Sequence, residues 1–309
     1  MDNTDMGILG ALLDNCRESD RSIGARLGLT GGAIRARRRN MEDAGIIQRY
    51  VVKVEPPVLG LGVLYVVVTD EDADEILRQC GLIGKPYLVV PCVGGVTVCG
   101  VVVDGREMRQ KIDLARGLMK DVRILSIFEA EGSALDSGLT RTDLEVLGRL
   151  VPSPRQRIDD AAGKTGLSTK TVARCRDRLL AHPGVQFTLT YDPQKLEGYI
   201  PHAVLAWMDD QGRNPADALP GLDRRLSQHY LQAPFVAKNQ VVLFMYCRTV
   251  FEMDEITRQV RDAEMVGAAD LFIPKRISLY DEWLTDAIDE LRRSPRLHLA
   301  PPPPPSGVV

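Results

Sequence analysis

Apolar residues at helical spacing open the chain. Over residues 5–15, Ile8, Leu9, Leu12 and Leu13 fall on one face, as a helix buried on one side requires. Ser19 to Leu27 reads as a second, short amphipathic helix, Gly28-Leu29 as a turn, and Thr30 as the cap of a longer third helix. On that helix Ile34, Arg38 and Met41 share a stripe, while Gly32, Arg35, Ala36, Arg39 and Asn40 lie opposite. The period then changes to two. Gln48 to Val54 alternates like a strand, expected to serve as a wing, and Pro56-Pro57 ends it because proline has no ladder donor.

Residues 62–131 alternate strand and helix signals. The runs GVLYVVVT, KPYLVVPC, VTVCGVVV and VRILSIFEA read as strands, with Gly94-Gly95 turning the chain between the second and third. The runs ADEILRQCG and GREMRQKIDLARGLMK read as helices. The order is βαββαβ, a ferredoxin-like pattern.

The same succession then restarts. Sliding the sequence by 138 positions brings Asp5 onto Asp143, Gly28 onto Gly166, Ile34 onto Val172 and Met41 onto Leu179 without a gap. Thr142 and Glu145 read as a capping box opening the next helix. RQRIDDAAGKTGL supplies a helix and turn, Ser168 caps a second long helix, and Phe187 to Tyr191 is a second wing. A second βαββαβ follows, with strands expected over 201–208, 229–238, 240–247 and 270–279, and Ser278 to Arg293 forms a terminal amphipathic helix. The expected fold class is α+β, two copies of a winged helix-turn-helix followed by a ferredoxin-like (βαββαβ) domain. The expected boundaries are 1–55 and 56–131 for the first copy, a linker at 132–138, and 139–192 and 193–278 for the second. A helix over 279–294 and a disordered proline-rich tail over 295–309 complete the chain.

Composition narrows the chemistry. The chain has 309 residues, 44% of them apolar, and a net charge of −3. Its length suits more than one domain, and nucleic-acid affinity must come from local patches. No run approaches the roughly eighteen apolar residues of a membrane span, and the start MDNTDMGILG lacks the basic residues of a signal peptide; a cytoplasmic protein is expected. The six cysteines show no CxxC pair and no histidine at ligand spacing, so no metal, disulfide framework or cofactor is expected.

The basic patch is local. Four arginines lie between positions 35 and 39, with no acidic residue from 30 to 41, and guanidinium forks on an exposed helix suit phosphate oxygens and guanine edges. A solvated basic face is the plain alternative. The runs LGLTGGAIRARRRNMEDAGII and VKVEPPVLGLG, and in the second copy TGLSTKTVARCRDRLLAHPGV and YDPQKLEGY, resemble the Lrp/AsnC (feast/famine) family of prokaryotic transcription regulators. That resemblance implies double-stranded DNA as partner and contacts from Thr30, Gly32, Arg35, Arg37, Arg39, Asn40, Ser168, Lys170, Thr171, Arg174 and Arg178. It further implies an effector such as an amino acid near Gly94 and Gly95, and a monomer acting as a pseudo-dimer, or a homodimer.

Departures from the family accompany this. Arg38 and Arg176 stand where an aliphatic residue is usual, and are expected to pack their stems and place their heads at the rim. Cys175 replaces the arginine matched by Arg37. The second copy has Ala237-Lys238-Asn239 in place of the glycine pair. An enzyme is not expected. The alternative is a siroheme-decarboxylase-like enzyme built as a fused pair, resting on His229, Tyr230 and Arg248 as proton donor and propionate binder.

Overall fold

A computed structural model describes residues 1–69, 72–119, 122–128, 138–209, 214–237 and 239–293. The linker expected at 132–138, apart from Gly138, and the tail at 295–309 lie outside the described residues.

Three helices come first, α1 (Asn3–Asp14), α2 (Asp20–Leu27) and α3 (Gly31–Asp43). Asp2, Ser19 and Thr30 accept hydrogen bonds from the backbone N–H groups of Asp5, Ser22 and Ala33, satisfying donors that a helix start leaves open. Gly24 sets the crossing of α2 and α3. A Cβ there would lie 2.5 Å from the Leu29 carbonyl oxygen, so any side chain would push the helices apart. Ile8, Leu12, Ile23, Ile34 and Met41 are buried. Next come β1 (Ile47–Val54), β2 (Gly62–Thr69), α4 (Ala73–Ile83), β3 (Lys85–Pro91), β4 (Val96–Val103), α5 (Met108–Leu118) and β5 (Arg123–Phe128).

A further three helices follow, α6 (Arg141–Leu150), α7 (Ile158–Thr165) and α8 (Thr169–Ala181). Then come β6 (Val185–Tyr191), β7 (Ile200–Met208), α9 (Leu219–Leu226), β8 (Phe235–Ala237), β9 (Gln240–Cys247), α10 (Val250–Arg261), β10 (Val266–Phe272), β11 (Ser278–Leu279) and α11 (Glu282–Arg293).

The strand orders are β10-β7-β9-β8 and β11-β3-β4-β2-β5. Leaving out β11, each is the order that a βαββαβ chain gives when both helices pack on one face. In the second sheet, Leu64, Val66 and Val68 of β2 and Cys99, Val101 and Val103 of β4 bury against Ile76, Cys80 and Ile83 of α4 and Met108 and Ala115 of α5. In the first, Val204, Leu243 and Met245 pack with Leu222 and Leu226 of α9 and Ile256 and Val260 of α10.

Several expectations need correcting. The capping box of α6 is formed by Thr140 and Asp143, not by Thr142 and Glu145. Among the described residues of 229–238 only Phe235–Ala237 is strand, with an isolated bridge from Tyr230 to Met245. The last strand of the β10-β7-β9-β8 sheet runs over Val266–Phe272 rather than 270–279. Ser278-Leu279 pairs with Val89 and Leu88 as an edge strand, and the terminal helix begins only at Glu282. The wings also differ. β1 and β6 pair with each other in a two-stranded sheet, so neither is an arm of its own hairpin.

By packing, the chain forms two compact units that do not follow the order of the sequence. Unit 1 gathers Met1–Arg49, Val90–Val96 and Thr188–Ile277, and unit 2 takes the other described residues. Unit 1 therefore joins α1–α3 to the β10-β7-β9-β8 sheet. A Cβ on Gly10 of α1 would lie 2.8 Å from the Leu231 carbonyl oxygen, the Tyr199 hydroxyl donates to Asn3 Oδ1 at 2.6 Å, and Arg248 Nη2 donates to the same atom at 2.9 Å. Unit 2 joins α6–α8 and α11 to the other sheet. The Trp283 ring meets Tyr87 edge-on, centroids 5.8 Å apart, and the Glu55 N–H donates to the Gly184 carbonyl at 2.8 Å.

Candidate nucleic-acid interface

On α3 the residues Gly32, Arg35, Ala36, Arg39 and Asn40 are exposed, while Ile34 and Met41 are buried. Arg39 has no ion pair or hydrogen bond among the described residues. Arg35 is 62% exposed and only loosely held, its Nε 3.4 Å from Asp20. Arg38 behaves as a rim residue. Its side chain is 14% exposed, with the head clasped by Asp20 at 3.0 Å and Glu42 at 2.7 Å.

Arg37 is engaged within the fold. Its Nη1 donates to Asp2 and Asp5, both at 2.8 Å, and the hydrogen bond to Asp5 leads the effects that raise its pKa. It fastens the start of α1 to α3. The capping carboxylates of α1 are close enough to satisfy the guanidinium without any ligand.

On α8, Ser168 caps the helix, accepting from the Thr171 N–H at 3.1 Å, and shares a 2.9 Å hydrogen bond with the Thr171 hydroxyl. Lys170 and Arg174 are exposed and have no ion pair or hydrogen bond among the described residues. Arg176 pairs with the adjacent Asp177 at 2.7 Å, its side chain 29% exposed.

Arg178 is engaged in a similar way. Its Nη2 lies 2.6 Å from Asp143 Oδ1, and Asp143, fully buried, also accepts from the Thr140 N–H at 2.9 Å and hydroxyl at 2.7 Å. This hydrogen bond raises the Arg178 pKa. Arg178 thus fastens α6 to α8. Cys175, which stands where α3 carries Arg37, is buried 3.4 Å from Arg178 Nη2. Burial first, and Asp143 second, push its thiol up to about 12. The cation serving the carboxylate has moved one helical turn along, from the position of Cys175 to Arg178. The sequence carried the signal: Asp143 was kept while the matched arginine was lost, and a buried carboxylate needs a cation within reach.

The remaining candidates are distributed elsewhere. Gly94 and Gly95 have φ of 87° and 78°, a left-handed turn that glycine adopts without strain. Beside it the Val93 N–H donates to the Ile273 carbonyl and the Lys275 N–H to the Pro91 carbonyl, both at 2.8 Å. His229 Nδ1 lies 3.7 Å from Glu252. Arg248 stands over the Tyr199 ring, 5.1 Å from its centroid, while holding Asn3. Tyr230 lines a cavity that neither His229 nor Arg248 lines. His229 and the Arg248 backbone N–H both meet the Glu252 carboxylate, at 3.7 and 2.7 Å, while the Arg248 guanidinium turns to Asn3 and Tyr199.

Known proteins can now be set beside this geometry. Residues 1–42 match the AsnC-type helix-turn-helix domain. The HTH-type transcriptional regulator Ptr1 of Methanocaldococcus jannaschii is 27% identical over 132 residues, 42% of this chain and 80% of Ptr1. Regulatory protein AsnC of Escherichia coli K12 is 38% identical over 63 residues, which span 20% of this chain and 41% of AsnC. Among solved structures, the siroheme decarboxylase NirDL is similar over 94% of this chain and 100% of its own, at 11% identity and a TM-score of 0.46. At that distance the chemistry has to be read from this chain's own residues. Among the described residues no helix is long and apolar enough to cross a membrane, and no cluster of side chains suits a metal ion.

Proposed function

We propose that this chain is a sequence-specific, double-stranded-DNA-binding transcription regulator of the Lrp/AsnC type, formed by tandem duplication and acting as its own pseudo-dimer or as a homodimer. The observation that carries the reading is the set of unengaged cations on two capped, exposed helices: Arg39 on α3, and Lys170 and Arg174 on α8. Thr30, Gly32, Arg35 and Asn40 border the first, and Ser168 and Thr171 the second. Arg37 and Arg178 hold these helices in place rather than read. The match of residues 1–42 to the AsnC-type domain supports the same reading for α3.

Fluorescence anisotropy with labelled duplex DNA at two salt concentrations tests it. Each phosphate contact adds roughly 0.9 to the negative slope of log affinity against log salt. Arg39→Ala and the pair Lys170→Ala with Arg174→Ala are each expected to flatten that slope. A slope unchanged in all three substitutions removes both helices as the DNA surface. The two helices present unlike side chains, Arg39 against Asp177 and Ala36 against Arg174, so selection from random duplexes is expected to return an asymmetric site with unlike half-sites. An amino-acid effector acting through the Gly94-Gly95 turn belongs to the same proposal. It predicts that one of the common amino acids shifts DNA affinity, and that Gly94→Val abolishes the shift.

A further inference from the structure

We propose, on the DNA-binding reading above, that the two helix-turn-helix groups grip the DNA backbone unequally. Arg21 on α2 is a phosphate contact of the first group, and Asp159 on α7 is its reversal in the second. In a helix-turn-helix the recognition helix enters the major groove while the helix before it crosses the phosphate backbone. The first turns of α2 and α7 therefore decide how firmly that backbone is held.

On α2 the surplus charge is positive. Arg21 is exposed, and its side chain has no ion pair or hydrogen bond among the described residues. The neighbouring Asp20 is taken up by α3, where Arg35 and Arg38 reach it at 3.4 and 3.0 Å. Gly31, the first residue of α3, brings the two helices together at this point. A Cβ there would lie 3.2 Å from both the Cα and the N of Arg21, a contact that a side chain would have to open. Arg21 is thus rooted beside the start of the helix that carries Arg35 and Arg39.

On α7 the balance is reversed. The shift of 138 positions sets Asp159 against Arg21 and Asp160 against Ser22. Asp159 meets Arg157 at 3.4 Å, with the two side chains 64% and 81% exposed. An ion pair so open to water is weak and leaves the carboxylate able to repel a phosphate. Asp160 is exposed, and its side chain has no partner among the described residues. Local structure explains both acids. Ser19 caps α2 by accepting from the Ser22 N–H, whereas Arg157 begins α7 with no side-chain hydrogen bond, and carboxylates in a first turn compensate the helix dipole instead. What steadies α7 works against the DNA backbone. Thr169 also stands where Gly31 permits close approach in the first group. The second group is left with Lys170 and Arg174, both on the recognition helix itself.

Substitutions in the full chain test this, read by fluorescence anisotropy on a mixed-sequence labelled duplex over a salt series. Such a duplex reports backbone contacts, which carry no sequence information. Arg21→Gln is expected to flatten the slope of log affinity against log salt by roughly 0.9, one phosphate contact. Asp159→Arg is expected to steepen the slope by a similar amount and to tighten binding; Asp159→Asn, gentler on α7, should move it the same way by less. Arg109→Gln and Asp113→Arg make the matching changes of charge at exposed positions of α5, outside both groups, and are expected to move the slope by less than half as much. The proposal is overturned, with the DNA-binding reading intact, if Arg21→Gln leaves the slope unmoved while Arg39→Ala flattens it. It is equally overturned if neither substitution of Asp159 steepens the slope, or if the α5 substitutions act as strongly. A parent chain with no salt-dependent binding would remove the DNA-binding reading itself, and this proposal with it.

Discussion

The two three-helix groups solve one problem with different residues. Each must fix its long helix against the first helix of its group, and each uses an arginine on a carboxylate at the matched positions Asp5 and Asp143. In the first group Arg37 reaches two carboxylates, Asp2 and Asp5, at the surface, with side chains 52% and 17% exposed. In the second a single carboxylate is fully buried, and Arg178 reaches it from one turn further along. Asn40 on α3 is exposed, whereas its counterpart Arg178 on α8 is paired with Asp143. Matched positions in a repeat can therefore exchange roles, and the charge of a side chain does not say which role it has.

Breaking the fastenings should expose the difference. Arg178→Met leaves Asp143 buried without its cation, and an uncompensated buried charge costs several kcal/mol; discounting for the partial exposure of Arg178, we expect a loss of about 2–3 kcal/mol in urea unfolding. Arg37→Met strands only carboxylates that water can reach, so about 1 kcal/mol or less is expected. Equal losses would mean that burial of Asp143 does not govern the contact. The comparison sharpens with Cys175→Arg combined with Arg178→Asn, which writes the α3 arrangement into α8. It should recover more than half of the Arg178→Met loss in the same measurement. It should also return position 178 to the reading face.

These pairs mark where the sequence was legible. The helices, both βαββαβ successions and the turn glycines follow from apolar period and from residues whose backbone demands are local, such as Gly28 and Gly166, both at φ 70°. The rim placement of Arg38 followed from its position on a buried stripe. The ion pairs of Arg37 and Arg178 are not legible, because a cation on an exposed turn looks the same whether it faces solvent or a carboxylate some thirty positions earlier in the chain. The Thr140–Asp143 box was missed by two residues in favour of Thr142 and Glu145, since either pair fits the spacing and only burial of Asp143 decides. The pairing of β1 with β6, and the grouping of α1–α3 with the later sheet, rest on contacts distant in sequence that no local period encodes.

Smaller effects separate the groups by pH. His202 of β7 is buried with its Nε2 unpartnered among the described residues, and burial holds its pKa below the ordinary 6.5. His229 lowers it further, while Glu252 and the Ile200 carbonyl oppose. A depressed folded-state value contributes stability above the unfolded pKa that is lost as pH falls towards the folded one. Thermal unfolding of unit 1 should therefore weaken as pH falls below about 6.5, and His202→Asn should flatten that dependence.

Since unit 1 draws on Met1–Arg49 and Thr188–Ile277, the order of synthesis acquires a meaning. The first three helices emerge from the ribosome long before the sheet they pack on. At roughly 5–20 residues per second, the interval between Arg49 and Thr188 is on the order of ten seconds. Throughout it, the face of α1 around Gly10 has no Leu231 to close upon. A holding chaperone that binds exposed apolar surface is expected to engage the nascent chain over that stretch, and a slow codon run before residue 188 should lengthen the engagement while leaving the finished protein unchanged.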